Sequence, residues 1–135
     1  MVQRKQTLFI LLSLVLTCLI IFFIDLVESE QCSFVLKIYD SSPLNIFFYG
    51  SFLLGFISIF LYKNRLLQYR LCLLNMYFQI CPIIYICSYI SMKSCMPQFL
   101  EMMGFYLIFL IFICYGLAAI YIKKDNDLIK SIDRI

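Results

Sequence analysis

The chain has 135 residues, a formal net charge of +3, 64% hydrophobic residues and only 14% charged ones, where an ordinary soluble domain carries about 25%. It contains no His and no Trp, so the commonest metal ligand and neutral-pH general base is missing. Four charge-free runs (Gln6–Ile24, Ser41–Tyr62, Leu71–Met92 and Met102–Ile122) take up most of the chain, and the remainder is too short for a separate soluble domain of usual size.

Each run is long enough, as a helix, to cross the roughly 30 Å hydrocarbon core of a bilayer. The predicted fold class is therefore an all-α membrane protein: a single domain, residues 1–135, forming a bundle of four transmembrane helices. The spans are placed at about 7–26, 44–62, 71–92 and 101–122. Two external loops (27–43 and 93–100), one cytoplasmic loop (63–70) and a cytoplasmic tail (123–135) complete the chain.

Span one is Leu, Ile, Phe and Val with Ser13, Thr17 and Cys18 as its small polar residues. Hydroxyls in such a helix bond back to their own backbone or to a neighbour. A basic start at Arg4-Lys5 resembles a signal peptide, but the run is longer than a signal h-region and leads into Asp25 without a small-residue cleavage site. It is expected to stay as a span. In the first external loop, Phe34, Leu36 and Ile38 alternate with Ser33 and Lys37, a pattern open to a short strand or an interfacial segment. Ser41-Ser42-Pro43 marks the entry to span two, since Ser caps helices and Pro fits a first turn.

Span two sets Ser51, Gly55 and Ser58 at i, i+4 and i+7, a face of small residues that lets helices approach closely. The tight loop Lys63–Arg70 makes spans two and three antiparallel neighbours. Span three is the most polar. Cys72, Asn75 and Gln79 share a face, and amides in hydrocarbon are costly unless bonded, so they are expected to point inward. Pro82 removes one backbone hydrogen bond and predicts a kink. Pro97 and Glu101 mark the start of span four, where a carboxylate suits the helix N-terminus. Tyr39, Tyr62, Tyr69, Tyr89 and Tyr121 fall near span ends, as interfacial anchors do. The tail Lys123–Ile135 continues span four and becomes amphipathic, with Leu128, Ile129, Ile132 and Ile135 in pattern, and is read as a short cytoplasmic helix on the membrane or under the bundle. Lys123 and Asp127 can pair across one turn.

Charge sorts by side. The N-terminus, second loop and tail hold Arg4, Lys5, Lys63, Arg65, Arg70, Lys123, Lys124, Lys130 and Arg134; the other side holds Lys37 and Lys93. By the positive-inside rule both termini are cytoplasmic, and the expected location is a bacterial inner membrane.

Of seven cysteines, none form a C-x-x-C pair, and no His completes a zinc set. Cys18, Cys72, Cys81, Cys87 and Cys114 lie in spans as small apolar filler. Cys32 and Cys95 fall in different external loops, and a disulfide between them would suit an oxidising periplasm if their Cα atoms come within about 7 Å. Four-helix thiol oxidases place reactive Cys pairs in such loops; one Cys per loop argues against that chemistry. Small multidrug exporters need a membrane-embedded acid, and the spans hold none apart from Glu101 at an edge. No cofactor site, metal site or catalytic set is expected.

Three stretches carry a resemblance. They are Met1–Phe9 (MVQRKQTLF), Lys63–Asn75 (KNRLLQYRLCLLN) and Lys123–Ile135 (KKDNDLIKSIDRI). In that order they resemble the start, the cytoplasmic loop with the opening of span three, and the ending of the bacterial domain-of-unknown-function family 4293, small four-span inner-membrane proteins. The resemblance brings no known activity or site residues. Since all three stretches are cytoplasmic, it implies a working surface from Gln3, Arg4, Asn64, Arg65, Gln68, Arg70, Lys124, Asp125, Ser131, Asp133 and Arg134. The plainer alternative is that they set topology and close the bundle through pairs such as Arg4 or Arg70 with Asp125 or Asp133.

The leading functional expectation is a non-enzymatic scaffold, assembly factor or accessory subunit, with the bilayer and other membrane proteins or further copies of itself as partners and no nucleic acid. The alternative is a small transporter or channel with a path lined by Asn75, Gln79 and the Pro82 kink. A weaker one is periplasmic thiol redox through Cys32 and Cys95.

Overall fold

A computed structural model describes residues 3–29, 34–36, 38, 42–61, 64–93 and 102–132. Four helices dominate: α1 (Gln3–Phe22), α2 (Ser42–Phe60), α3 (Arg65–Lys93) and α4 (Met103–Ile132). All four are long and apolar enough to cross a membrane. Between α1 and α2, strands β1 (Val27–Ser29) and β2 (Phe34–Leu36) pair antiparallel, with Val27 opposite Leu36, Glu28 opposite Val35 and Ser29 opposite Phe34. The helices form a ring in which α1 packs on α2 and α4, and α3 packs on α2 and α4.

The buried positions explain the ring. A buried seam runs through 6, 10, 13, 17 and 20 on α1, 44, 48, 51, 55 and 58 on α2, 68, 72, 75, 79, 82 and 86 on α3, and 104, 108, 111, 115, 118, 122 and 125 on α4, flanked on α1 by buried Leu14, Leu16 and Ile21 and on α4 by buried Cys114 and Ala119. On every helix the steps alternate between four and three. A mean step of about 3.5 residues keeps one seam facing its neighbours and is the geometry of left-handed bundles. Outside the seams the surface is apolar: Leu11, Val15, Leu53, Phe60, Tyr77, Ile84 and Ile113 are all exposed. Only 28% to 39% of each span is buried inside the bundle, and large hydrophobic side chains are exposed along all four helices.

Several element boundaries differ from the sequence expectation. Span one was drawn to Leu26, but α1 ends at Phe22. The Leu26 amide donates to the Leu36 carbonyl at 3.0 Å, and Leu26, Val27, Leu36 and Ile38 are buried. The hairpin thus folds its apolar side onto the end of the bundle, which settles the alternation around Phe34–Leu36 as a strand. Helix α3 begins at Arg65, six residues before Leu71, and the Gln68 amide donates to the Asn64 carbonyl at 3.0 Å in its first turn. Helix α4 does not stop at Ile122. It continues unbroken to Ile132, so the tail prolongs span four as a helix. Pro82 lies inside a continuous α3. Glu101, Pro97 and Tyr39 lie outside the described residues.

The face Ser51–Gly55–Ser58 is fully inside, so its partners belong to this chain: a Cβ at Gly55 would meet Tyr115 of α4 and Leu14 of α1. Ring contacts brace the same seams. Phe9 stacks on Tyr121 with centroids 5.6 Å apart, and Phe47 meets Phe78 edge-on at 5.8 Å.

At the hairpin end, Gly104 brings the first turn of α4 against the chain leaving α1. A Cβ there would lie 2.6 Å from both the Asp25 carbonyl oxygen and Leu26 Cα, backbone atoms that cannot swing aside. Gly104→Ala is expected to lower stability by about 1–3 kcal/mol, read as a lower thermal midpoint in detergent. Gly116→Ala is the control, since its nearest neighbour is the flexible Met76 Cε at 3.6 Å. Equal midpoints for the two variants would rule out this close approach.

Candidate functional site

Polar side chains gather at two levels of the bundle. The first is the middle of the seams. Ser13 and Thr17 of α1, Ser51 and Ser58 of α2, Asn75 and Gln79 of α3 and Tyr115 of α4 are all 0–1% exposed. Three of the hydroxyls bond within their own helix: Ser13 Oγ donates to the Ile10 carbonyl (2.7 Å), Thr17 Oγ1 to Ser13 (2.8 Å) and Ser58 Oγ to Leu54 (2.8 Å).

Asn75 ties helices together. In the amide orientation its neighbours require, its nitrogen donates to Ser51 Oγ at 3.0 Å and to the Ser51 carbonyl at 3.2 Å. Its oxygen accepts from the Gly55 amide at 3.1 Å and from the Tyr115 hydroxyl at 3.3 Å. The Tyr115 hydroxyl also interacts with Ser13 and Ser51. All four helices therefore meet around one carboxamide and one phenol. Gln79 Nε2 adds a bond to Ser51 Oγ at 2.9 Å, while its Oε1 has no partner among the described residues. Cys72 completes the inward face of α3 as buried filler, and Pro82 is also buried.

The second level is the end where α1 starts, α2 gives way to α3, and α4 runs out. Gln68 is buried and donates from Nε2 to the Ser58 carbonyl at 3.2 Å, closing the turn between α2 and α3. Asp125 is also buried. Its Oδ2 accepts from Gln6 Nε2, which also donates to the Tyr121 carbonyl at 3.1 Å. The partner seen for Asp125 is thus an amide of α1; Arg70 is exposed.

The proposed working surface is divided by this geometry. Gln68 and Asp125 face inward and fasten helices. Asn64, Arg70 and Lys124 are exposed, and Arg65 is half-exposed. Asn64 and Arg65 line a groove of about 580 Å³ with Leu66, Leu67, Asn126 and Ile129. A second groove along α4, about 570 Å³, is lined by Ile120, Lys123, Lys124, Asp127 and Leu128; Lys123 and Asp127 share it as the one-turn spacing predicts. The side chains of Gln3, Arg4 and Ser131, and residues Asp133 and Arg134, lie outside the described residues. So do Cys32 and Cys95 and their disulfide. Cys18, Cys72, Cys81, Cys87 and Cys114 are free thiols. Cys81 and Cys87 face outward rather than filling the core.

Sequence reasoning missed Gln6, Tyr115 and Asn126. Gln6 lies one seam step before Ile10 and Ser13, so an inward amide at the start of α1 was open to a heptad reading. Tyr115 had no signal, because it stands among apolar neighbours and no partner is visible along the chain.

The family model described as Domain of unknown function (DUF4293) matches residues 2–135, and the chain belongs to that family. No curated protein and no solved structure matches the chain.

Asn75→Leu removes the partner of Ser51, Tyr115 and the Gly55 amide at once. Gln79→Leu removes a group already unpaired at one end, which offsets the lost bond. Asn75→Leu is expected to cost about 1–2 kcal/mol and Gln79→Leu clearly less, measured by reversible unfolding in mixed micelles. The reverse order would show that Asn75 is not the centre of the network.

Proposed function

We propose that this member of the family is an integral protein of a bacterial inner membrane, with both termini cytoplasmic, acting as a non-enzymatic scaffold, assembly factor or accessory subunit through its cytoplasmic end. The observation that carries this reading is the division of its polar groups. Most of those within the spans bond inside the bundle, Asn75 and Gln79 to the neighbouring helices and Ser13, Thr17 and Ser58 to their own, whereas Asn64, Arg65, Arg70, Lys123 and Lys124 stand outward at one end. A bundle whose inner polar groups are committed to packing has its free chemistry at its margin.

The membrane part of the proposal is supported by the apolar exterior. Exposed Leu, Ile and Phe cover all four helices, and in hydrocarbon the helices satisfy their own backbone. The orientation rests on the nine basic residues of one side against two of the other.

Transport through a path at Asn75, Gln79 and Pro82 is the second reading, favoured by the unpartnered Gln79 Oε1. It requires Asn75 and Gln79 to leave their Ser51 contacts. Asn75→Leu combined with Gln79→Leu would then abolish flux while the protein stays folded; unchanged flux removes the reading. Thiol redox through Cys32 and Cys95 is tested by mass spectrometry after alkylation of native membranes, where two free thiols exclude a resting disulfide.

For the leading reading, a cysteine-free chain carrying Asn64→Cys should resist an impermeant maleimide in intact cells, and one carrying Glu28→Cys should react. The opposite pattern overturns the orientation. Crosslinking in native membranes followed by purification should recover other membrane proteins at position 124, an exposed site in the second groove; recovery of this chain alone would count against a scaffold or accessory role.

A further inference from the structure

We infer that the groove between the start of α3 and the extension of α4 holds the headgroup of an anionic phospholipid. The inference rests on the membrane reading above and adds a ligand to it. Three observations carry it: where the groove lies, what lines it, and what continues from it.

Its position follows from helix lengths. The charge-free part of α3 begins at Leu71 and that of α4 ends at Ile122. The two helices run 29 and 30 residues, about 44–45 Å at 1.5 Å per residue, well beyond the roughly 30 Å of a hydrocarbon core. Asn64–Leu67 and Asn126–Ile129 are therefore the overhanging turns, level with a headgroup layer.

Its lining is mixed in the way a phospholipid is mixed. Arg65, Asn64 and Asn126 supply a guanidinium and two carboxamides, while Leu66, Leu67 and Ile129 supply an apolar floor. Arg65 is the charged residue among the lining side chains, and no acid among the described residues lines the groove. Asp125 is turned inward to Gln6, and Asp127 lies in the neighbouring groove beside Lys123 and Lys124. Guanidinium forks suit phosphate oxygens in two-point contact, and the open groove leaves Arg65 reachable from a headgroup layer.

Its continuation is an uncovered apolar track. Down the outer face of α3, Leu67, Arg70, Leu74, Tyr77, Cys81 and Ile84 follow at steps of three and four, and all are exposed. An acyl chain descending from the groove would pass the exposed Arg70 and then lie along Leu74, Tyr77 and Ile84. A helix of a partner protein would fit the floor equally, but the Arg65 guanidinium in the groove, above a track into the hydrocarbon, favours a lipid.

The test uses the full chain in nanodiscs of zwitterionic phosphatidylcholine or of a mixture containing anionic phosphatidylglycerol, released into native mass spectrometry. The wild type should retain phosphatidylglycerol about fivefold over phosphatidylcholine, the factor for one basic residue near an anionic surface. Arg65→Gln should remove most of that preference, Arg65→Lys should keep part of it, and Lys123→Gln should leave it largely intact. Circular dichroism verifies that the variants fold, and Leu67→Gln gives an independent loss should Arg65→Gln unfold. Equal retention of the two lipids, or equal loss from Arg65→Gln and Lys123→Gln, overturns the site. A photocrosslinker at position 67 that captures protein rather than lipid also overturns it. Alkaline extraction separates the two proposals: a chain that stays with the membrane yet shows no lipid preference loses only this site, and one that extracts loses both.

Discussion

Asn75 brings a carboxamide with two donors and one carbonyl into the buried centre of the bundle, and the packing around it is arranged to meet that demand. A buried amide without partners costs several kcal/mol in an apolar medium. The demand is met by Ser51 and Gly55 on α2 and by Tyr115 on α4, with Ser13 of α1 against the same phenol. Gly55 is small because the Tyr115 hydroxyl occupies the space its side chain would take. A register shift by one seam step would carry Asn75 off its bonds to Ser51, Gly55 and Tyr115. Apolar contacts tolerate sliding, while this set of bonds does not, so it fixes register much as one polar residue does in a coiled coil.

The ends are held by different means. At the end bearing the termini of α1 and α4, amide side chains close the gaps between helices: Gln6 reaches Tyr121 and Asp125, and Gln68 reaches Ser58. At the other end, contact is made through backbone and apolar surface, with Gly104 against Asp25 and Leu26 and the β1–β2 hairpin laid over the bundle. Amides at one end and close backbone contact at the other leave the exposed polar chemistry concentrated at the first.

Much of this was legible in the sequence and some was hidden for a physical reason. The four charge-free runs placed the helices, and the polar faces Ser51–Gly55–Ser58 and Cys72–Asn75–Gln79 correctly marked inward surfaces, because there a polar residue stands out against Leu and Ile. The seams of α1 and α4 were not legible. Their outward positions, such as Leu11, Val15 and Ile113, are as hydrophobic as the inward Ile10, Leu14 and Ile111, so no hydrophobic period separates the two faces. Helix ends were misplaced for a related reason. Charge marks where hydrocarbon stops, and backbone hydrogen bonding continues past it, which is why α3 starts six residues before its charge-free run and α4 extends ten residues beyond its own.

That overhang changes how the charged segments are to be understood. A loop and a tail that were separate in the sequence become the ends of two neighbouring rigid helices, and rigid helices hold side chains at fixed separations. Arg65 and Asn126 are far apart along the chain and share one groove because α3 and α4 pack together along their length. The bonds around Asn75 set the register of α3 against the bundle, and Gln6 joins α1 to Asp125, one residue before Asn126. The arrangement of the outward groove is thus inherited from bonds made inside. Loss of the Asn75 network would be felt at the groove as lost alignment, although no residue of the network lines it.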